Sequence, residues 1–358
     1  MSGSPSRATI VAAIVAKDFK EFSRDRFYLL ISILGLVFYI ASWWFLPSEV
    51  NETIPIGVVG GEQFDFGNMA GGDGGEGIAI VEYPTVAEMT AAVEAGEDVT
   101  VGMAFPPDMS NPTIEVFLGP GVPPSLEGAM SGMATEIAYA AAGVPPPVSG
   151  FATEEIVLGH DRAGNQVSLQ DKFAPLLAFL VLMVEVLSLA GLVAGEIQDK
   201  TVKAVTVTPA RVSDFLTAKA VFGTALAFVQ VVILLVAIGG LSAAPAILLT
   251  AALLGSILAT GFGLLAGSAG KDFVGIIFWS MLILIPLLIP AMALLFPGST
   301  APWIKAIPSW PLAQVLVDVT SYGAGWAEAG PLLGLLALWG LGALAVGWLV
   351  LGKKVQTL

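Results

Sequence analysis

The sequence predicts an α-helical polytopic membrane protein with six transmembrane helices and an inserted small mixed α/β extracellular domain. Hydrophobic residues make up 56% of the chain, and charged residues make up only 12%. Several apolar runs exceed the ~20 residues that an α-helix needs to cross a bilayer. Because a segment in lipid must satisfy its own backbone hydrogen bonds, these runs are predicted to be helices.

Before the first apolar run, residues 1–26 contain a predicted amphipathic helix. Val11, Val15, Phe19 and Phe22 recur at helical spacing, opposed by charged side chains. Such a helix is suited to lie along the inner leaflet as a cytoplasmic elbow. The alternative is a cytoplasmic helix that packs on protein.

The six transmembrane helices are expected where the apolar runs lie. Their predicted bounds are 27–46, 173–195, 212–239, 246–267, 273–296 and 331–352. The last five make up a region at 172–352, which is followed by a short tail at 353–358.

Charge is divided sharply along the chain, whose net charge is −14. Between Glu49 and Asp171 there are 19 acidic residues and one basic residue, Arg162. In contrast, 12 of the 15 Lys and Arg residues fall on one face of the six predicted spans. The positive-inside rule makes that face cytoplasmic. We therefore expect a multi-pass protein of the cell membrane, with both termini cytoplasmic and residues 47–171 extracellular.

Residues 47–171 are long enough to form a small domain of their own. Their β-branched runs, flanked by Gly or Pro, predict strands at 54–59, 78–82, 99–105, 113–118 and 154–158. A capping-box pattern at Thr85–Glu88 opens a predicted helix that continues to about Ala95, and a second helix is predicted at 125–142. Strands alternating with helices indicate a mixed α/β domain.

Several kinds of chemistry are disfavoured by the residues present. There is no cysteine, and His160 is the single histidine, which disfavours thiolate sites, paired-histidine zinc sites and histidine-based triads. The nearest match to a P-loop, at Gly267–Asp272, has the wrong spacing and an acid in place of the Mg²⁺-binding hydroxyl. No basic patch interleaved with aromatic residues indicates nucleic-acid binding. We expect no catalytic residue, metal or cofactor in this chain.

A charged segment, residues 195–220, lies between two membrane-length apolar runs. Its position makes it a candidate for receiving force or a signal from a cytoplasmic protein. A loop whose charges only anchor the topology is the alternative.

Three regions give the chain a resemblance to a known family. They are KDFKEFSRDR at 17–26, GEIQDKT at 195–201 with VTPAR at 207–211, and WIKAIPSWPLAQVLVD at 303–318. With six spans and a large insertion after the first, the chain resembles the permease subunits of ABC-2-type exporters, which have the type V architecture of ATP-binding-cassette transporters.

The resemblance implies a permease homodimer or heterodimer in the lipid bilayer, clamped by two copies of a separate ATPase. ATP and Mg²⁺ are then expected on that ATPase. Residues 196–211 would form a coupling loop that seats in a groove of the ATPase. Its candidate coupling residues are Glu196, Asp199, Lys200, Thr201, Thr208 and Pro209. Residues 298–328 would form an external re-entrant segment. The chain would move substrate out of the cytoplasm.

Glu185 is the one charged residue in the predicted second span, close to mid-membrane. A carboxyl group at that depth marks either a pathway or a buried hydrogen-bonded pair. Glu185 and Gln230 are therefore candidate substrate-pathway residues. The alternative is that Glu185 serves packing, through a hydrogen bond to Gln230 or to another helix.

Two other function classes remain at the sequence level. A membrane receptor or assembly scaffold would use the extracellular domain for sensing, without transport. A secondary transporter driven through Glu185 would transport without ATP, although no clear inverted repeat supports it.

Overall fold

The computed structural model describes residues 6–47, 54–60, 78–95, 99–106, 114–119, 124–141, 168–201, 209–242, 244–270, 272–295 and 301–357. The chain divides into two compact units. One unit comprises Met1–Val50 and Val167–Leu358, and the other comprises Asn51–Gln166. The second unit falls within the region 47–171 that the sequence assigns to the inserted domain.

The described part of the chain is mostly helical. In chain order its α-helices are α1 (Arg7–Arg24), α2 (Arg26–Phe45), α3 (Val86–Ala95), α4 (Pro124–Ala141), α5 (Leu169–Gln198), α6 (Val212–Ala237), α7 (Pro245–Ala269), α8 (Phe273–Ala293), α9 (Trp310–Tyr322) and α10 (Trp326–Gln356). Six of them, α2, α5, α6, α7, α8 and α10, are long and apolar enough to cross a membrane. The predicted six-helix fold class is confirmed.

Some helices extend beyond the predicted spans. The sequence prediction begins the last span at Pro331, but α10 begins at Trp326. Hydropathy marks only the apolar part of a helix, whereas the ends depend on polar groups near the termini. In α10, Glu328 lies in the first turn, where the helix dipole favours a carboxylate. Before α5, the Ser168 side chain accepts a hydrogen bond from the backbone N–H of Asp171.

A single residue, Asp25, separates α1 from α2 and caps both helices. Its backbone N–H donates to the carbonyl oxygen of Glu21 at 3.0 Å. Its Oδ1 accepts hydrogen bonds from the backbone nitrogens of Phe27 at 3.0 Å and Tyr28 at 3.2 Å. Because no longer linker intervenes, the direction of α1 is tied to the start of α2.

The helix α5 lies at the centre of the helical unit. Of its most apolar 18 residues, 83% are buried, compared with 6% for α2 and 22% for α10. It packs against α2, α6, α7, α8 and α9. Burial on all sides explains why α5 is apolar all round rather than along one stripe.

The helix α9 is short and buried. Its 13 residues span ~20 Å, less than the ~30 Å hydrocarbon core of a bilayer. Leu312, Val315 and Val319 bury it against the main core. Ahead of α9, the buried Ser309 hydroxyl donates to the Leu287 carbonyl in α8 at 2.5 Å. This helix lies within the segment 298–328, whose re-entrant form and external location stay predictions.

Glycines allow α7 and α10 to approach closely. A Cβ atom added at Gly347 would lie 2.5 Å from the carbonyl oxygen of Gly261, and one added at Gly261 would lie 2.4 Å from the backbone of Ala343 and Leu344. Both contacts are with backbone, which cannot rotate away. Small residues that bring backbones together are characteristic of helix packing in membranes.

The described residues of the inserted unit contain a four-stranded mixed sheet. Its strands are β1 (Ile54–Val59), β2 (Ile78–Glu82), β3 (Val101–Ala104) and β4 (Glu115–Leu118), in the order β2-β1-β3-β4. β1 pairs parallel with β2 and β3, and β4 pairs antiparallel with β3. Four of the predicted strands and both predicted helices are confirmed, whereas the strand predicted at 154–158 lies outside the described residues.

Alternation along the strands decides which helix covers each face of the sheet. Ile56, Val58, Val101 and Met103 pack with Met130, Ala134 and Ile137 of α4. On the other face, Gly57 and Gly102 make room for Met89 of α3, since a Cβ on either glycine would lie within 3.0 Å of that side chain. The Thr85 hydroxyl caps α3 by accepting from the backbone N–H of Glu88 at 3.3 Å, as the capping-box pattern predicts.

The close contact between α7 and α10 makes a stability prediction. We expect Gly347→Ala to destabilise the protein by ~1–3 kcal/mol, because its Cβ would be forced against the Gly261 carbonyl. The measurement is thermal unfolding of the purified protein in detergent. Gly342→Ala is the matched control on the same helix, since its Cβ would meet nothing within 4 Å. Equal unfolding temperatures for the two variants would contradict the close packing.

Candidate functional site

A buried group of charges joins α1, the end of α5 and the start of α6. The Lys219 ammonium lies 2.8 Å from Asp18 Oδ1 and 2.6 Å from Glu196 Oε2. All three side chains are at most 2% exposed. The Lys17 ammonium reaches the group from the surface, 3.2 Å from Asp18 Oδ1 and 3.1 Å from Glu21 Oε2, and it also contacts Glu196. We call these five residues the ion cluster.

The helical period of α1 places an acid in its buried stripe. Ile14, Asp18 and Phe22 lie four residues apart and are the buried residues of this helix. Phe22 contacts Phe222 of α6, with ring centroids 6.1 Å apart. Asp18 is thus carried into an apolar interface, where a charge is stable only when it is paired. Lys219 supplies the pairing charge from α6.

The predicted apolar face of α1 has two roles. The sequence groups Val11, Val15 and Phe19 with Phe22 on one face. In the structure Phe22 packs against protein, whereas Phe19 is 63% exposed. The helix therefore packs on protein along one stripe and leaves an adjacent apolar stripe open.

Burial and the nearby opposite charges act in opposite directions on the pKa values of Lys17 and Asp18. Burial lowers the pKa of Lys17, but its hydrogen bond and charge attraction to Glu196 outweigh this and raise the pKa above its usual value. Burial raises the pKa of Asp18, and the nearby charge of Lys219 opposes that rise. Lys17 therefore stays charged at neutral pH.

The ion cluster is an ion-pair network rather than a plain group of acids. The carboxylates of Asp18, Glu21 and Glu196 lie within 4.8 Å of one another, a spacing compatible with a metal ion. Two ammonium groups, from Lys17 and Lys219, already contact these carboxylates and supply the positive charge that a cation would bring.

A second ion pair fixes the other end of α1. The Arg7 guanidinium donates to Asp214 Oδ2 at 2.5 Å, and the same oxygen accepts from the backbone N–H of Arg211 at 2.8 Å. Asp214 lies in the first turn of α6, where the helix dipole favours its charge. The elbow helix is therefore held to α6 at both ends.

The structure separates the predicted coupling residues into buried and exposed groups. Glu196 is buried in the ion cluster, whereas Asp199, Lys200 and Thr201 are exposed just beyond it. Lys200 has a positive φ of 58°, which turns the chain away from α5. The Thr201 hydroxyl donates to the Glu196 carbonyl oxygen at 3.2 Å and stabilises that turn.

On the far side of this loop, Pro209 is exposed shortly before α6 begins at Val212. Thr208 lies outside the described residues. The exposed residues at the two described ends of the loop, Asp199–Thr201 and Pro209, are free to meet another protein, while Glu196 is committed to contacts within the chain.

A polar group lies among the membrane helices α2, α5 and α6. Glu185 Oε1 accepts from Gln230 Nε2 at 2.6 Å and from the Ser32 hydroxyl at 2.9 Å, and the Ser188 hydroxyl lies 3.4 Å from that of Ser32. Glu185 is 3% exposed, and its Oε2 has no hydrogen-bond partner among the described residues. The hydrogen bond to Gln230 is the one that the packing alternative names, and the substrate-pathway role stays a prediction.

Sequence reasoning missed the serine of α2 and the lysine of α6. Nothing in the spacing of Ser32 or Lys219 relates them to Glu185 or Glu196, which lie in another helix. One signal was present: Asp18 interrupts an apolar i, i+4 stripe, which predicts that a cation from a neighbouring element must reach it.

Comparison with protein-family models matches residues 26–349 to the model described as ABC-2 family transporter protein. This chain belongs to that family. No curated protein and no solved structure matches it. The ABC-2 match begins with the first residue of α2, so it covers Glu185, Glu196 and Lys219 but not the elbow helix α1. The protein is a multi-pass membrane component of an ABC transporter.

Lys219 gives a stability prediction for the ion cluster. We expect Lys219→Met to destabilise the protein by ~3–5 kcal/mol, because it leaves the Asp18 and Glu196 carboxylates buried without their shared cation. The free energy of unfolding in detergent, measured by denaturant titration, checks this.

Lys20→Met is the control, since Lys20 is an exposed lysine on the same elbow helix and surface charges contribute ~0–1 kcal/mol. Adding Asp18→Asn to Lys219→Met should restore part of the loss, because one buried negative charge is removed with its partner. If the Lys219 and Lys20 variants unfold alike, the ion cluster does not hold α1.

Proposed function

We propose that this ABC-2 protein is the permease subunit of an exporter that moves substrate out of the cytoplasm with energy from a separate ATPase subunit. The observation that carries the proposal is the family match over residues 26–349, since ABC-2 permeases generally pair with an ATPase. A homodimer or heterodimer of permease chains would be clamped by two ATPase copies. ATP and Mg²⁺ would bind to the ATPase.

The proposed topology places the ion cluster at the cytoplasmic face. Both termini would be cytoplasmic, and residues 47–171 would be extracellular. The positive-inside rule supports this, because 12 of the 15 basic residues lie on the same face as the ion cluster. The short helix α9 would then lie at the external side as part of the re-entrant segment.

Contact with the ATPase would occur at the exposed ends of the loop between α5 and α6. Asp199, Lys200, Thr201 and Pro209 are exposed there and would meet the ATPase surface, with Thr208 between them in the sequence. Glu196 would act inside the permease. Because its carboxylate contacts Lys17 of α1 and Lys219 of α6, a displacement of the loop would move three helices together.

The substrate pathway is proposed to pass beside Glu185 and Gln230. Burial of a carboxyl group among membrane helices is costly, and its Oε2 has no hydrogen-bond partner among the described residues. The second oxygen is therefore available to a proton or to a polar part of the substrate.

The coupling proposal predicts a charge-specific loss of ATPase stimulation. We expect Lys200→Glu to reduce permease-stimulated ATP hydrolysis at least ~5-fold, because a coupling contact is typically worth ~1–3 kcal/mol. The assay uses the permease with the ATPase that co-purifies with it, reconstituted in lipid.

Lys353→Glu is the matched charge reversal at an exposed lysine near the end of α10, away from the loop. It should leave stimulation unchanged. Equal stimulation by wild type and by Lys200→Glu would reject the contact, and failure of any ATPase to co-purify would count against the exporter itself.

The pathway proposal predicts that Glu185→Gln impairs turnover without unfolding the protein. The glutamine carbonyl oxygen accepts the same hydrogen bonds from Gln230 and Ser32, so we expect a change in unfolding free energy within ~1 kcal/mol. ATP turnover of the complex in proteoliposomes should fall several-fold. Wild-type turnover in this variant would leave Glu185 with a packing role alone.

A further inference from the structure

A groove runs between the elbow helix α1 and the membrane helix α6. Its volume is about 980 Å³, within the range of pockets that hold small molecules. Its walls are aliphatic or aromatic apart from one end, which is polar. The α1 wall comprises Arg7, Ala8, Val11, Ala12, Val15, Ala16 and Phe19, and the α6 wall comprises Asp214, Thr217, Val221, Phe222, Ala225, Leu226 and Val229.

The polar end of the groove carries an accessible guanidinium. The Arg7 side chain is 48% exposed, and one of its N–H groups donates to Asp214 Oδ2 at 2.5 Å. A guanidinium has five N–H donors in a planar fork, a geometry that matches phosphate oxygens. The exposed part of the Arg7 side chain can therefore reach a phosphate at the mouth of the groove.

The rest of the groove has the dimensions and chemistry of an acyl-chain site. From Thr217 to Val229 the α6 wall covers ~18 Å along the helix, with Val221 and Ala225 between them. This wall belongs to a helix apolar enough to cross the membrane. Water is a poor occupant for aliphatic walls, whereas an acyl chain matches them.

The polar end and the apolar walls of the groove together match the chemistry of a phospholipid. A phospholipid carries a phosphate attached to acyl chains, which is the arrangement of a guanidinium beside an aliphatic groove. We propose that one phospholipid binds between α1 and α6, with its phosphate on Arg7 and one acyl chain along the groove. The lipid completes the open apolar stripe of α1 and ties the elbow helix to the surrounding leaflet.

Native mass spectrometry of the full chain in detergent tests this site. The probes are dioleoylphosphatidylglycerol, which has the phosphate, and dioleoylglycerol, which has the same chains without it. Ala12→Trp fills the groove, and Ala13→Trp is its matched control, because Ala13 is an exposed alanine on the same helix that does not line the groove. Arg7→Gln removes the guanidinium, and Lys20→Gln controls for loss of an exposed positive charge on α1.

We expect wild type and Ala13→Trp to hold one phosphatidylglycerol with equal affinity, and Ala12→Trp to bind it at least ~10-fold more weakly. Arg7→Gln should weaken phosphatidylglycerol binding about 10-fold and leave dioleoylglycerol binding unchanged, because a charge-assisted hydrogen bond is lost. Ala8→Trp, nearer the start of α1, is a second groove-filling variant in case Ala12→Trp fails to fold.

Two results would overturn the proposal. One is equal binding of phosphatidylglycerol by the Ala12 and Ala13 variants. The other is loss of a dimeric species in Ala12→Trp with lipid occupancy unchanged, which would assign the groove to a second copy of the chain.

Discussion

Burial of the Lys219 ammonium between Asp18 and Glu196 is the constraint on which the arrangement of the helical unit depends. Each charge alone would be too costly to bury, and together they remain stable only while α1, α5 and α6 stay in register. An apolar contact tolerates sliding, whereas an ion pair at 2.6–2.8 Å does not. The ion cluster thus gives the mostly apolar interface between α1, α5 and α6 a single defined geometry.

The sequence predicts the membrane helices well because each of them depends on the hydropathy of its own residues. In lipid, an apolar run of membrane-spanning length satisfies its backbone hydrogen bonds by forming a helix, so hydropathy alone finds α2, α5, α6, α7, α8 and α10. The strands of the inserted unit are also predictable from a local pattern, since Ile56 and Val58, two residues apart, are both buried. Helix ends are less predictable because they depend on capping groups such as Ser168.

Only part of each candidate site can be predicted from the sequence, because the sites are formed by contacts between elements that are distant along the chain. In the sequence Glu196 resembles an exposed loop charge, whereas in the structure it is buried and contacts Lys17 and Lys219. Ser32 can be assigned to a site only because the structure shows its hydroxyl donating to Glu185. Likewise, no sequence pattern pairs Gly261 with Gly347, although their backbones set the spacing of α7 and α10. Local periodicity predicts which residues are buried. The residues that they contact are known only from the packed structure.

The distance along the chain between the members of the ion cluster has a consequence for biogenesis. Asp18 and Lys219 are separated by 201 residues, so the elbow helix leaves the ribosome long before its main partner is made. Until α6 has been inserted, Asp18 has no buried cation to meet and must remain hydrated. The docking of α1 through Asp18 therefore waits for α6, the third of the six candidate membrane spans.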